Sequence, residues 1–181
     1  EIYVVEAEET DEEKEGKPVF VAKILDTYDD VDITVQTAYR KSKISINGGA
    51  LTEKIAVKGE TLTNKITELP VQIVTEDGET TKDYILRIIR LNDSTEIDTI
   101  TVNDGADITA TQEDDTRYEV HLNNAVRSVD ITGLTVNENA KISINGEQQE
   151  VHTSTIELTL AQAMTEVEIK VTSEAGTEKT Y

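Results

Sequence analysis

The 181-residue sequence contains no cysteine and no tryptophan, and it has only one phenylalanine, two histidines and two prolines. Without cysteine there is no disulfide framework, no thiolate metal site and no cysteine nucleophile. No apolar run approaches the roughly 20 residues that a membrane-spanning helix needs. Basic residues are also scarce, since 17 Lys and Arg stand against 37 Asp and Glu, giving a net charge of −20. This charge repels phosphates, so neither nucleic acid nor an anionic membrane is expected as a partner.

What the sequence does contain is a series of short segments in which β-branched residues alternate with polar ones. An acidic, aromatic-poor composition is common in disordered chains, but residues 31–35, 43–47 and 167–171 alternate with a period of two. That period, with Ile, Val and Thr dominating, is typical of half-buried β-strands. Asn-Gly and Asp-Gly turn signals bound the segments. The sequence therefore predicts an all-β protein built from many short antiparallel strands.

An internal repeat with an offset of 98 residues organises the chain. Residues 31–48 and residues 129–146 are identical at 11 of 18 positions without a gap. A repeat of this length is domain-sized, so each copy is expected to close its own core, unlike the short units of solenoids. We therefore predict two domains, residues 1–90 and residues 91–181.

About seven strands are predicted in each copy, which fits an immunoglobulin-like sandwich. The predicted strands of copy one are residues 2–5, 19–25, 31–35, 43–47, 55–62, 69–75 and 84–89. Those of copy two are residues 97–103, 117–122, 129–136, 141–145, 155–160 and 167–173. A helical turn within residues 51–69 or 160–167 is an alternative for these two stretches.

The end of copy one resembles a known family. Residues 74–90 contain an acidic-Gly turn, a Thr-Lys pair, a Tyr, an alternating strand and a final Arg. This order is similar to the last two strands of bacterial cadherin-like β-sandwich domains, and residues 173–181 are similar to it as far as the Tyr. The resemblance implies two tandem immunoglobulin-like or cadherin-like antiparallel sandwiches. It also implies an exported bacterial protein, extracellular or on the cell surface, in which such domains are spacers or adhesive modules.

The repeat alignment indicates that copy two lacks most of its last strand in this chain. Copy one continues from Tyr84 to Arg90, whereas copy two stops at Tyr181, the equivalent of Tyr84 at an offset of 97. A sandwich without a strand exposes a sheet edge and part of its core. Two interpretations stay open: the chain is a window from a longer array, or a neighbouring chain donates the strand.

Clustered carboxylates are the candidate metal ligands, because calcium binds oxygen ligands at loop ends. The candidate calcium ligands are Asp104, Asp107, Asp114 and Asp115. Further acidic clusters lie at residues 8–13 and 29–32. None has the EF-hand ligand spacing or the Asp-x-Asn-Asp-Asn signature of calcium-linked classical cadherins. Solvated loops are therefore the alternative interpretation, and no cofactor is predicted to be required.

No motif supports catalysis. His121 and His152 are the only imidazoles, and neither has a second His nearby that would suggest a zinc site. His121 is expected to face solvent. A Gly-x-Ser-x-Gly nucleophile elbow and a Gly-rich phosphate loop are both absent from the sequence. We therefore predict a protein that is not an enzyme.

Two function classes remain. The first is a structural or adhesive spacer whose partners are neighbouring repeats of the same long polypeptide or filament. The second is a module that binds cell-wall polysaccharide or a surface protein, for which Tyr3, Tyr28 and Tyr39 are the candidate contacts because copy two has no equivalent Tyr. Residues 39–41 and 137–139, predicted to be exposed, differ at every position, which favours the spacer because two copies binding one ligand would share such residues.

Overall fold

The structure is a computed structural model that describes residues 4–147 and 150–181. These residues form strands and connecting turns, which confirms the predicted all-β class. The described residues include no helix long and apolar enough to cross a membrane. The helical turns considered for residues 51–69 and 160–167 are wrong, since the first stretch contains strands and the second is irregular.

The chain divides into two compact units, unit 1 ending at Leu91 and unit 2 beginning at Asn92. The strands described in unit 1 are β1 (Glu8–Lys14), β2 (Lys17–Leu25), β3 (Asp30–Gln36), β4 (Lys43–Ile46), β5 (Thr52–Glu53), β6 (Ile55–Thr61), β7 (Ile66–Val74) and β8 (Thr81–Leu91). Six of them form one sheet in the order β1-β2-β8-β7-β4-β5, and β3 pairs with β6 in a second sheet.

The core of unit 1 lies between its two sheets. Ile33 of β3 and Ala56 of β6 are buried in one cluster with Ile44 of β4, Leu69 of β7 and Ile88 of β8. Alternation along each strand produces this arrangement, because successive side chains point to opposite faces of a sheet.

The last strand of unit 1 lies inside the larger sheet. β8 runs antiparallel to β7 on one side and parallel to β2 on the other, with register from Val19 opposite Ile85 to Leu25 opposite Leu91. The parallel β2–β8 pair differs from the antiparallel pairing that the short turns in the sequence predict.

The strands described in unit 2 are β9 (Ile97–Asn103), β10 (Asp107–Thr109), β11 (Thr111–Asp114), β12 (Arg117–Glu119), β13 (Ser128–Thr135), β14 (Lys141–Ile144), β15 (Glu150–Val151), β16 (Thr153–Thr159), β17 (Ile169–Thr172) and β18 (Glu178–Thr180). They form the sheets β10-β9-β13-β16 and β15-β14-β17-β18 and the hairpin β11-β12. The buried core of unit 2 includes Ile131, Ile142, Ile144 and Val171. β18 is equivalent to the first three residues of β8.

Equivalent turns of the two units adopt the same backbone conformation. Asn47 and Asn145, each preceding a Gly, have φ of 49° and 51°. Lys54 and His152 have φ of 64° and 70°, which is uncommon for residues with a β-carbon. The repeat found in the sequence therefore extends to unusual local geometry.

Several strands were not predicted. β1 covers the acidic residues 8–13, and β5, β10, β11, β15 and β18 are also new. The strand predicted at residues 2–5 lies partly outside the described residues, and Val4 and Val5 are not in a strand.

Candidate functional site

The four candidate calcium ligands lie at two different hairpin turns. Asp104 and Asp107 flank the turn between β9 and β10, where the Asn103 amide donates to an Asp107 carboxylate oxygen at 2.6 Å. Asp114 and Asp115 begin the turn between β11 and β12. Each pair is therefore held in its own turn, and Asp107 already has a donor from the chain.

Asp114 is engaged by its own turn. Its Oδ1 accepts the backbone N–H of Thr116 at 2.9 Å and the Thr116 hydroxyl at 3.2 Å. The backbone hydrogen bond from Thr116 is the main reason that the pKa of Asp114 lies below its ordinary value. This arrangement is an Asx turn, which stabilises the hairpin without a cation.

The acidic segment at residues 8–13 forms part of an ion-pair cluster on the larger sheet of unit 1. The Arg87 guanidinium of β8 donates to both carboxylate oxygens of Glu12 at 2.6 and 2.8 Å and to Glu68 at 2.8 Å. Lys14 also contacts Glu68. Hydrogen bonds from Arg87 to Glu12, and from Lys14 and Arg87 to Glu68, hold the pKa of both carboxyls below the ordinary value.

The acidic segment at residues 29–32 is partly neutralised by Arg90, near the end of β8. Arg90 donates to the side chain of Asp29 at 2.6 Å and to the backbone carbonyl of Leu62 at 3.1 Å, and it also contacts the carbonyl of Asp26. The Thr61 hydroxyl donates to Asp30 at 2.7 Å. Glu12, Asp29 and Asp30 thus each accept a hydrogen bond from another side chain of the chain.

No group of three or more His, Asp or Glu side chains within residues 4–147 and 150–181 is arranged to hold a metal ion. The calcium assignment of Asp104, Asp107, Asp114 and Asp115 stays a prediction. A bound cation would have to bring two separate hairpin turns together or compete with the donors at each turn.

The two histidines lie in different surroundings. The side chain of His121 is 95% exposed and its Nε2 is 4.0 Å from Glu119, as expected for a solvent-facing residue. His152 lies at a turn with positive φ, and its Nδ1 is 3.3 Å from the hydroxyl of the buried Thr135. His152 thus contacts a buried threonine, and its positive φ recurs at the equivalent Lys54.

Tyrosines form equivalent ring contacts in both units. Phe20 and Tyr84 meet edge to face with centroids 5.8 Å apart, and Tyr118 and Tyr181 do so at 6.0 Å. Such pairs stabilise by about 0.5–1.5 kcal/mol beyond burial of their area. Burial raises the pKa of Tyr118 above its ordinary value. These contacts indicate a structural role for Tyr84 and Tyr181, which occupy equivalent positions in the repeat.

The tyrosines that the sequence offers as candidate ligand contacts are more exposed. Tyr39 is 79% exposed and Tyr28 is 39% exposed, while Tyr3 lies outside the described residues. Tyr39 therefore offers the largest accessible aromatic surface among the described tyrosines.

The second half of the chain matches the model of a known protein family. Residues 97–181, which begin at β9 and include all later strands, match the family model of the cadherin-like beta sandwich domain. Residues 97–181 are thus similar to the cadherin-like beta sandwich domain family. Comparisons of the chain with curated proteins and with solved structures found no significant match.

Cadherin-like beta sandwich domains are structural or adhesive modules, generally without catalytic activity, and they are typically extracellular or surface-associated. The resemblance seen in the closing hairpin is thus confirmed for the second copy. In unit 2, the Tyr181 hydroxyl donates to the carbonyl of Thr95 at 2.9 Å, so the motif Tyr has a polar contact as well as a ring contact.

The Arg87 cluster was not found by sequence reasoning. Glu12, Glu68 and Arg87 are far apart in the sequence, and only the sheet order places β1, β8 and β7 near one another. The available signal was the alternation within β8, which puts Arg87 on the opposite face from the buried Leu86 and Ile88.

Proposed function

We propose that this chain is a pair of tandem, non-catalytic spacer modules from a bacterial cell-surface or extracellular protein, with unit 1 a second domain of the cadherin-like kind. Its partners would be neighbouring repeats of the same polypeptide or filament. The family match of residues 97–181 carries the proposal, since domains of that family are structural or adhesive.

The assignment of unit 1 is supported by contacts that recur at the repeat offset. The backbone N–H of Thr37 donates to the Lys54 carbonyl at 3.0 Å, and that of Thr135 donates to the His152 carbonyl at 2.9 Å. The hydroxyl of each of these threonines donates to a backbone carbonyl two residues on, at 2.8 Å in both units. Because such hydrogen-bond networks depend on the surrounding fold, the matching partners of Thr37 and Thr135 favour the same domain type for both units.

The spacer role is supported by the contrast between buried and exposed positions. Ile44 and Ile142 are equivalent and fully buried. The exposed Tyr39 is replaced by Asn137 in unit 2, whose side-chain amide donates to Asn92 Oδ1 at 3.1 Å. This buried Ile is thus retained while the exposed position has changed, as expected when no common ligand is bound.

Force spectroscopy on the full chain, held at its two ends, tests the spacer role. A spacer of two separately folded modules is expected to show two unfolding events per chain. Each event should release about 300 Å of chain, because an extended residue spans about 3.3–3.6 Å. A single event releasing the whole chain, or no resistance to extension, would contradict the proposal.

A binding role for unit 1 is the second candidate, and the exposure of Tyr39 favours it. Exposed aromatic rings are common contacts in recognition surfaces. An array of bacterial wall polysaccharides, probed with the chain and with a Tyr39→Ala variant, distinguishes the two roles. A specific signal that Tyr39→Ala abolishes would replace the spacer role with a binding role, and an array without signal would support the spacer.

A further inference from the structure

Two turns of the chain have the same local sequence and the same backbone conformation. Asn47-Gly48 and Asn145-Gly146 are the two Asn-Gly pairs of the sequence, and each ends an identical Lys-Ile-Ser-Ile-Asn-Gly segment. Both residues of each pair have a positive φ, between 49° and 73°, as in a type I′ turn. Both asparagines are exposed. The two turns therefore form a matched pair that differs in its surroundings.

The backbone of the two turns is matched in its contacts as well. The hydrogen bond that closes each turn is donated by the residue after the glycine, at 2.9 Å in unit 1 and at 3.1 Å in unit 2. A β-carbon built on Gly48 or on Gly146 would meet no atom within 4 Å. Neither glycine is therefore crowded by the described residues, and a difference in reactivity has to come from the asparagine side chains.

The side chain of Asn145 is held by the facing segment of unit 2. Its Oδ1 accepts the backbone N–H of Glu168 at 3.0 Å, and its own N–H donates to the Glu168 carbonyl at 2.8 Å. The side chain thus extends the ladder between β14 and β17 by one residue pair. Any reaction that rotates the Asn145 side chain toward Gly146 has to break the hydrogen bond from Glu168.

The side chain of Asn47 lacks this restraint. The equivalent of Glu168 is Pro70 of β7, and proline has no N–H to donate. The Asn47 N–H still donates to the Pro70 carbonyl at 2.8 Å. Within the described residues Asn47 Oδ1 accepts no hydrogen bond, and the side-chain amide donates to Glu60 at 3.3 Å in an exposed contact. That contact is longer than an ordinary N–H···O hydrogen bond, so it holds the side chain less firmly.

We propose that Asn47 is a site of spontaneous deamidation and that the hydrogen bond from Glu168 protects Asn145 from the same reaction. The Gly48 nitrogen attacks Cγ of Asn47, a C–N bond forms, and the side-chain nitrogen leaves as ammonia after solvent carries the Gly48 proton to it. Water then adds to either carbonyl of the cyclic imide and opens it, giving aspartate or isoaspartate. Water is the one co-reactant, and no oxidant or reductant takes part.

Deamidation changes the charge and the length of the turn between β4 and β5. A carboxylate replaces the amide that donates to Glu60, so two like charges meet in the modified turn. Isoaspartate also adds one carbon to the main chain beside the buried Ile46. Unit 1 therefore acquires negative charge and an altered turn with time, while unit 2 keeps its asparagine.

Incubation of the full chain at mildly alkaline pH, followed by peptide mapping with mass spectrometry, measures the rate at each asparagine. In the folded chain Asn47 should react about 2- to 10-fold faster than Asn145, the factor that one ordinary hydrogen bond confers. In denaturant the identical local sequences should make the two rates nearly equal. Equal rates in the folded chain, or a ratio that persists in denaturant, would overturn the proposal.

Two variants exchange the backbone donor between the units. Pro70→Ala supplies an N–H opposite Asn47 and should slow its deamidation, while Glu168→Pro removes the N–H opposite Asn145 and should accelerate its deamidation, each by about 2- to 10-fold. In each variant the asparagine of the other unit is the internal control and should keep its rate. An unchanged rate at the targeted asparagine, with the melting temperature of its unit retained, would show that the donor does not control the reaction.

Discussion

At the scale of single residues, Gly133 shows how tightly the core of unit 2 is packed. A β-carbon built on Gly133 would lie 2.6 Å from Cδ1 of Ile142, which is fully buried. Interiors packed at crystal-like density accommodate an added methyl group only by shifting neighbours. The equivalent position in unit 1 is Val35, so the two copies fill this part of the core differently.

Gly133→Ala is expected to destabilise unit 2 by about 1–3 kcal/mol, the usual range for overpacking. Chemical unfolding measures the change. The matched control is Gly59→Ala, where the new β-carbon meets only Asp32 Oδ1 at 3.4 Å. That variant should be neutral or more stable, because Gly in a strand is less favourable than Ala.

A double-mutant cycle that combines Gly133→Ala with Ile142→Val tests whether contact with the Ile142 side chain causes the destabilisation. Val lacks the Cδ1 atom that the new methyl would meet, so Gly133→Ala should cost less in the Ile142→Val background. An equal cost in both backgrounds would show that the destabilisation has another origin.

The Arg87 cluster predicts a pH dependence of unit 1. Folding lowers the pKa values of Glu12 and Glu68. Their contribution to the free energy of unfolding is therefore complete above the ordinary pKa of 4.5, and it is lost as the pH falls through the lowered pKa values. Arg87→Gln should therefore reduce stability at pH 7 and make stability less dependent on pH below about 4.5. Melting temperatures across this range measure the difference.

The control for Arg87→Gln is Lys23→Gln, which removes the same charge from an exposed residue of β2. If both variants have the same pH dependence, net charge rather than the ion-pair cluster determines the acid sensitivity.

At the scale of strands and turns, the hairpin turns of unit 2 predict the response to metal removal. Asp107 and Asp114 accept hydrogen bonds from neighbouring residues of their own turns. Excess chelator is therefore expected to leave the melting temperature of unit 2 unchanged. A fall of several degrees, reversed by added calcium, would show that a cation holds the two turns.

Most interior strands were predictable from the sequence, because alternation reports directly which face of a strand is buried. Residues 31–35 and 43–47 were predicted and correspond to β3 and β4. β1 was missed because six of its seven residues are exposed, so it carries no apolar period and its acidic composition indicates a loop.

Strand partners were less predictable than strands. The register of β2 against β8 joins residues 66 positions apart, and no local pattern specifies such a pairing. The Arg87 cluster depends on that pairing, which is why it was missed. The candidate calcium residues lie near turns, as the sequence indicated. Whether two turns lie close enough to share a cation depends on the pairing of distant strands, which no local pattern specifies.

At the scale of the whole molecule, charge is unequally divided. Residues 1–90 have 12 basic and 19 acidic residues, and residues 91–181 have 5 and 18, so the net charges are −7 and −13. Like charges on a compact surface repel one another and oppose folding. The acidic surface also keeps open strand edges of different molecules apart.

Added salt is therefore expected to stabilise unit 2 more than unit 1. Raising ionic strength from about 0.01 M to about 1 M shortens the Debye length from about 30 Å to about 3 Å, which screens the repulsion. Melting curves followed by amide signals of each unit measure the two shifts. A larger shift in unit 1 would mean that ion pairs, and not net repulsion, dominate the salt response.

The position of β8 also sets the order of events during synthesis. The strand between β2 and β7 is the last one of unit 1 to leave the ribosome, so the larger sheet stays divided until residue 91 has emerged. During that interval β2 and β7 have unpaired edges, and long-range parallel pairing is slow to form. Nascent unit 1 is therefore expected to be most vulnerable to proteolysis and to chaperone capture just before its final eleven residues appear.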